Sequence, residues 1–136
     1  MDDRDTSAAQ AEVAQLVSEL IAIDSSNYGN DEGPGEVAAA DYVFQRLVEV
    51  GLEPERYSTT SDRRQGVVVR LPGRDRTRGA LLLHGHLDVV PAPEPNWIHP
   101  AFAGVIDEDE YVWGRGAVDM KDMDGMMLAV IRPRVS

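Results

Sequence analysis

The chain has 136 residues, enough for one compact domain and too few for two ordinary ones. Its 43% hydrophobic and 27% charged residues are those of a soluble globular protein, and its net charge of −11 argues against nucleic acid or an anionic membrane surface as partner. The absence of cysteine excludes disulfides and thiolate metal sites, so any metal must be held by His and carboxylates. Met1-Asp2-Asp3-Arg4-Asp5 lacks the basic and apolar regions of a secretory signal, and no apolar run reaches membrane-spanning length, which makes the cytoplasm the expected compartment.

Ala9, Val13, Leu16, Val17, Leu20 and Ile21 recur at helical spacing and predict an amphipathic helix from about Ala8 to Ile23, its apolar stripe packed in the core. Ser25 to Gly35 is a loop by composition, and an ordinary connector is expected rather than the rim of a site. A second helix starts at Glu36 with Val37, Ala40, Phe44, Leu47 and Val48 on one face, and Gly51 ends it. Glu53 to Thr59 predicts an edge strand, where Pro54 is tolerated, and Gly66 to Leu71 a firmer one. Pro72 to Gly79 is a charged loop that returns the chain to a strand at Ala80 to Leu83, expected as an antiparallel neighbour.

Leu81-Leu82-Leu83-His84-Gly85-His86-Leu87-Asp88-Val89-Val90-Pro91 reads as a buried strand that delivers polar side chains at its C-terminal end, where open α/β sheets keep their sites. Side chains alternate along a strand, so His84, His86 and Asp88 share a direction while strand geometry lasts. Imidazole binds a metal ion, and a carboxylate two residues on can hold the other ring nitrogen. Alone, His-x-Asp is a common pattern; a second stretch, Gly114-Arg115-Gly116-Ala117-Val118-Asp119-Met120-Lys121, adds an acidic residue in a Gly-rich turn before a helix.

Between the two, Pro91, Pro93, Pro95 and Pro100 keep an irregular segment extended, with Trp97 and Phe102 as anchors. His99 is expected to have a surface or supporting role. Val105-Ile106 and Tyr111-Val112-Trp113 predict a hairpin whose acidic tip, 107–110, is a solvated turn rather than a calcium loop. The last helix is expected to start near Asp122, with Met123, Met126, Met127 and Val130 facing the core and Pro133 stopping it.

With His-Gly-His-Leu-Asp-Val-Val-Pro, Trp97, Pro100-Ala101-Phe102 and Gly-Arg-Gly-Ala-Val-Asp-Met-Lys in that order, the chain resembles the aminoacylase, acetylornithine deacetylase, succinyl-diaminopimelate desuccinylase and glutamate carboxypeptidase family of zinc hydrolases, metallopeptidase family twenty. The resemblance implies an α/β fold, a partial mixed-sheet catalytic domain with helices packed on the sheet, of which residues 1–136 are the N-terminal part. It implies that His86 is a ligand to one zinc, that Asp119 bridges two, and that Asp88 is the catalytic-site aspartate orienting His86. A shared carboxylate suits two divalent ions about 3.5–4 Å apart, because it screens their repulsion. Cobalt or manganese would suit the same N/O ligands. His84 is left as a structural residue and Lys121 with no chemistry beyond a local ion pair. The resemblance further implies a cis Asp119-Met120 peptide in a metal-loaded, full-length protein.

Two departures qualify what the resemblance implies. The family continues after Asp-Met-Lys with two small residues, whereas Asp122 and Met123 come first here, with Asp122 available as a helix N-cap. Family members are also much longer: paired glutamates, a further acidic ligand, a final histidine and a dimerisation domain lie beyond the equivalent of Ser136. The ending Arg132 to Ser136 reads as a truncated or frame-disrupted product. The expected parent reaction is metal-dependent hydrolysis of the amide of an N-acyl amino acid or small peptide, with this chain alone inactive. One rival reading takes His84-Gly85-His86 as the His-x-His of a barrel amidohydrolase, but only His99 remains to complete that set. The other is a non-catalytic remnant, an interaction module that self-associates through exposed apolar surface.

Overall fold

Apolar residues at helical spacing form α1, Asp3–Ile21, which begins more than a turn before its expected start. Its stripe of Leu16, Val17, Leu20 and Ile21 is buried. The computed structural model describes residues 3–132, and the expected stop at Pro133 lies outside them. Helix α2, Val37–Val48, follows a loop and turns out at Gly51, whose φ of +78° lets the Leu52 N–H return to the Leu47 carbonyl at 3.2 Å. Strands β1, Glu55–Ser58, and β2, Gln65–Val68, pair antiparallel from Glu55↔Val68 to Ser58↔Gln65.

The acidic hairpin forms as expected, with β3, Val105–Ile106, antiparallel to β4, Val112–Trp113. Asp107 organises its turn, accepting bonds from the Trp113 indole N–H at 2.7 Å and the backbone N–H groups of Asp109 and Tyr111. Helix α3, Lys121–Ile131, then lies against α1 at Gly125, where an added Cβ would sit 3.3 Å from the Val17 backbone nitrogen and strike the Val17 side chain. Leu16, Leu20, Leu47, Leu128 and Ala129 form the core, with Val43, Val67 and Val69 packed on it. This is an α/β arrangement of three helices on small antiparallel sheets. No helix among the described residues is long and apolar enough to cross a membrane.

Three expectations about elements are corrected. Residues 80–83 are not a buried strand: Leu81 and Leu82 are 84% and 79% exposed. A strand exists through hydrogen bonds to a neighbour, and no strand among the described residues runs beside this one. The methionine face of α3 points outward, with Met123, Met126 and Val130 exposed, because the face that meets α1 carries Lys121, Gly125, Leu128 and Ala129. Met120, not Asp122, occupies the N-cap of α3, and no side chain bonds there.

Candidate metal site

Two segments far apart in sequence meet at one edge of the helical core. Residues 25–27 pair with Val89 as a short parallel bridge, through Val89 N–H to the Ser25 carbonyl at 3.1 Å and Asn27 N–H to the Val89 carbonyl at 2.8 Å. The buried Ser25 hydroxyl adds a bond to the Leu87 carbonyl at 2.6 Å. That bridge fixes the backbone just before Pro91 and sets the direction of His86 and Asp88. Opposite it, the turn at 114–120 is drawn in by Arg115 N–H to the Ala101 carbonyl at 2.7 Å. Gly116 crosses Val89 with φ +89°, and a Cβ there would stand 2.9 Å from the valine methyl. Only glycine fits that crossing.

Lys121 locks the same turn to α1. It is completely buried, and its ammonium donates to the Leu20 and Ile23 carbonyls at 2.8 and 2.6 Å, so it serves main-chain acceptors at a helix end rather than the expected local ion pair. Burial lowers its pKa to about 8, against the charges of Asp24 and Asp124. Burial raises Asp124, whose Oδ2 has no hydrogen-bond partner, to about 7.

The result is an open cleft of about 310 Å³ lined by Asn27, His86, Asp88, Arg115 and Asp119. His86 stands between two carboxylates: Nδ1 is 3.0 Å from Asp88 Oδ1 and 3.0 Å from the Asp88 carbonyl, and Nε2 is 3.1 Å from Asp119 Oδ1. Partial burial pulls the imidazole pKa down, but bonds and charges from Asp88 and Asp119 outweigh it and raise the pKa. A proton is thus favoured where a cation would sit. Two ligands of a tetrahedral zinc with bonds of about 2.0–2.1 Å lie roughly 3.3 Å apart, so the Nε2–Oδ1 spacing can accept an ion between them after a small adjustment. Asp119 is 85% exposed at its side chain and free to make it.

The expected site residues therefore divide. His86, Asp88 and Asp119 come together; His84 is exposed and lines no part of the cleft, and His99 packs edge-on against Trp113 at 5.2 Å. Arg115 lies over Trp97, 5.1 Å from the ring centre. The loop expected to be a plain connector instead rims the site, since the Asn27 amide donates to Asp88 Oδ2 at 2.9 Å. Its asparagine sits among turn-forming residues and carried no local signal of that contact. The Asp119–Met120 peptide is cis. Among the described residues no three His, Asp or Glu side chains are grouped to hold a metal ion.

Comparison with known proteins places the chain. Aminoacylase-1 of Sus scrofa is 33% identical over 99 residues, covering 73% of this chain and 24% of that protein. Succinyl-diaminopimelate desuccinylase of Methylorubrum populi is 40% identical over 98 residues, covering 71% and 25%, and that of Hydrogenovibrio crunogenus 35% identical over 113 residues, covering 82% and 27%. The chain spans about a quarter of the length of these curated relatives. Residues 82–134, which contain both motifs of the cleft, match the model of peptidase family M20/M25/M40, and it is this stretch that carries the chain's similarity to that family.

Proposed function

We propose that residues 1–136 are the N-terminal part of the catalytic domain of a zinc-dependent amide hydrolase acting on N-acyl amino acids or small peptides. The observation that carries the reading is His86 held between Asp88 and Asp119 at 3.0 and 3.1 Å. His86 and Asp119 would hold the metal. A bound divalent ion would supply Lewis acidity to the amide carbonyl and lower the pKa of a bound water. Asp88 accepts the Nδ1–H through its backbone carbonyl at 3.0 Å, and its carboxylate, also 3.0 Å away, adds a negative charge on that side of the ring, which favours the Nδ1–H tautomer and makes Nε2 the better donor.

Two metal-capable side chains fall short of the three protein ligands usual for catalytic zinc, and the two cleft carboxylates are assigned to holding the metal and to supporting His86, which leaves neither as a general base. The chain alone is therefore proposed to be inactive. Cobalt(II) added to it should give a visible spectrum of N/O ligation that His86→Ala and Asp119→Ala abolish, with no release of amino acid from N-acetyl or N-succinyl substrates. A spectrum that survives both substitutions overturns the ligand assignment, and metal-dependent release overturns the inactivity.

The exposed Leu81, Leu82, Met123 and Met126 favour a second reading, in which the chain acts through association rather than chemistry. Binding of an apolar dye and oligomers in sedimentation would favour it; a compact monomer that binds no dye counts against it.

A further inference from the structure

Asn27 has every polar atom of its amide assigned. Its Oδ1 accepts two bonds, from the Gly29 N–H at 2.9 Å and from Arg64 Nη2 at 3.1 Å. With two donors on the oxygen, the amide nitrogen must face Asp88, and it donates to Oδ2 at 2.9 Å. Asp88 then has its other oxygen directed at His86 Nδ1, 3.0 Å away. Arg64 is itself fixed: Nη1 binds Glu36 Oε1 at 2.7 Å, Nε binds Asp31 Oδ1 at 3.2 Å, and Nη2 also reaches the Glu32 carbonyl at 3.2 Å. The side chains of Arg64 and Glu36 are only 12% and 10% exposed, so this anchor is largely removed from solvent. A chain of directed bonds thus runs from the base of α2 through Arg64 and Asn27 to Asp88 and ends on the histidine of the cleft.

We propose that Asn27, oriented by Arg64, is the positioning residue of the candidate metal site: it holds the Asp88 carboxylate so that His86 keeps its proton on Nδ1 and turns Nε2 toward the ion. The proposal rests on the reading of His86 and Asp119 as ligands. The competition it resolves is visible in the geometry. Two carboxylates flank one imidazole, and the neutral ring can donate a hydrogen bond on the Asp88 side, where Nδ1 meets both the backbone carbonyl and Oδ1 at 3.0 Å, or on the Asp119 side through Nε2. Only the first tautomer leaves the lone pair on Nε2, the nitrogen that faces Asp119. Asp119 is exposed and its carboxylate meets His86 with no second residue, among those described, to orient it, whereas Asp88 is held by a neighbour that is held in turn. Restraint on one side biases the ring to that side.

The test uses the metal-free 136-residue chain with its histidines labelled with nitrogen-15, at about pH 9, where free imidazole is neutral. The nitrogen shifts of His86 give the tautomer ratio directly. The wild type should be predominantly Nδ1–H. Asn27→Ala should bring the Nε2–H form to a comparable share. Asn27→Asp guards against a folding artefact, because it keeps an oxygen for Gly29 and Arg64 while turning the donor into a charged acceptor that repels the Asp88 carboxylate; it should shift the ratio at least as far. An unchanged ratio in both variants overturns the proposal and leaves the Asp88 carbonyl as the group that holds the ring. Zinc titration of the same proteins should show affinity reduced about tenfold in each variant, the usual cost of losing such a support. Failure of the wild type to bind zinc would remove the metal reading, and the tautomer ratio would still decide the role of Asn27.

Discussion

Glu19 and Tyr42 show what one bond between two helices contributes and how it responds to pH. The Tyr42 hydroxyl donates to Glu19 Oε2 at 2.6 Å and the Gln15 amide to Oε1 at 2.7 Å, and these bonds hold the carboxyl pKa below its ordinary 4.5 despite partial burial. A depressed carboxylate stabilises the fold above its unfolded-chain value, and that contribution is lost as pH falls through the folded value. The urea midpoint should therefore fall on acidification below about pH 4.5, and Tyr42→Phe should flatten that part of the profile. Identical acid limbs in the two proteins would contradict the assignment. Within the cleft, His86, Asp88 and Asp119 were legible because two long motifs carry them at fixed order. The contacts of Asn27 and Lys121 were not: their partners lie 61 and 101 positions away, Asn27 stands in a turn-prone run, and the motif that ends on Lys121 gives no sign that the side chain is buried against α1.

At the scale of elements, the closeness of α1 and α3 depends on the absence of a side chain at Gly125. Gly125→Val would drive methyl groups into Val17, and overpacking of this kind costs about 1–3 kcal/mol. Chemical denaturation should show the lower midpoint, and an unchanged midpoint would mean that the helices separate without cost. The helices, the strands β1 and β2 and the acidic hairpin were readable from periodicity and turn residues, because each is decided by local pattern, whereas the partner of β2 was not: it pairs with β1 and not with residues 80–83. The Leu81–Leu83 strand and the methionine face were not. Both are apolar patterns that specify burial without specifying the neighbour that provides it, and among the described residues that neighbour is lacking.

For the whole molecule, the same apolar residues leave hydrophobic surface open to solvent. Replacing Leu81 and Leu82 together by serine should reduce apolar dye binding and shift sedimentation toward monomer; unchanged dye binding would locate the exposed patch elsewhere. The central claim is the proposal that His86 and Asp119 are the metal ligands of the cleft, with Asp88 supporting His86 from behind. Zinc titration by calorimetry tests it most directly, on the wild-type chain with His86→Ala and Asp119→Ala beside it. The account predicts weak binding that either substitution abolishes. Binding of equal strength in all three proteins would contradict it.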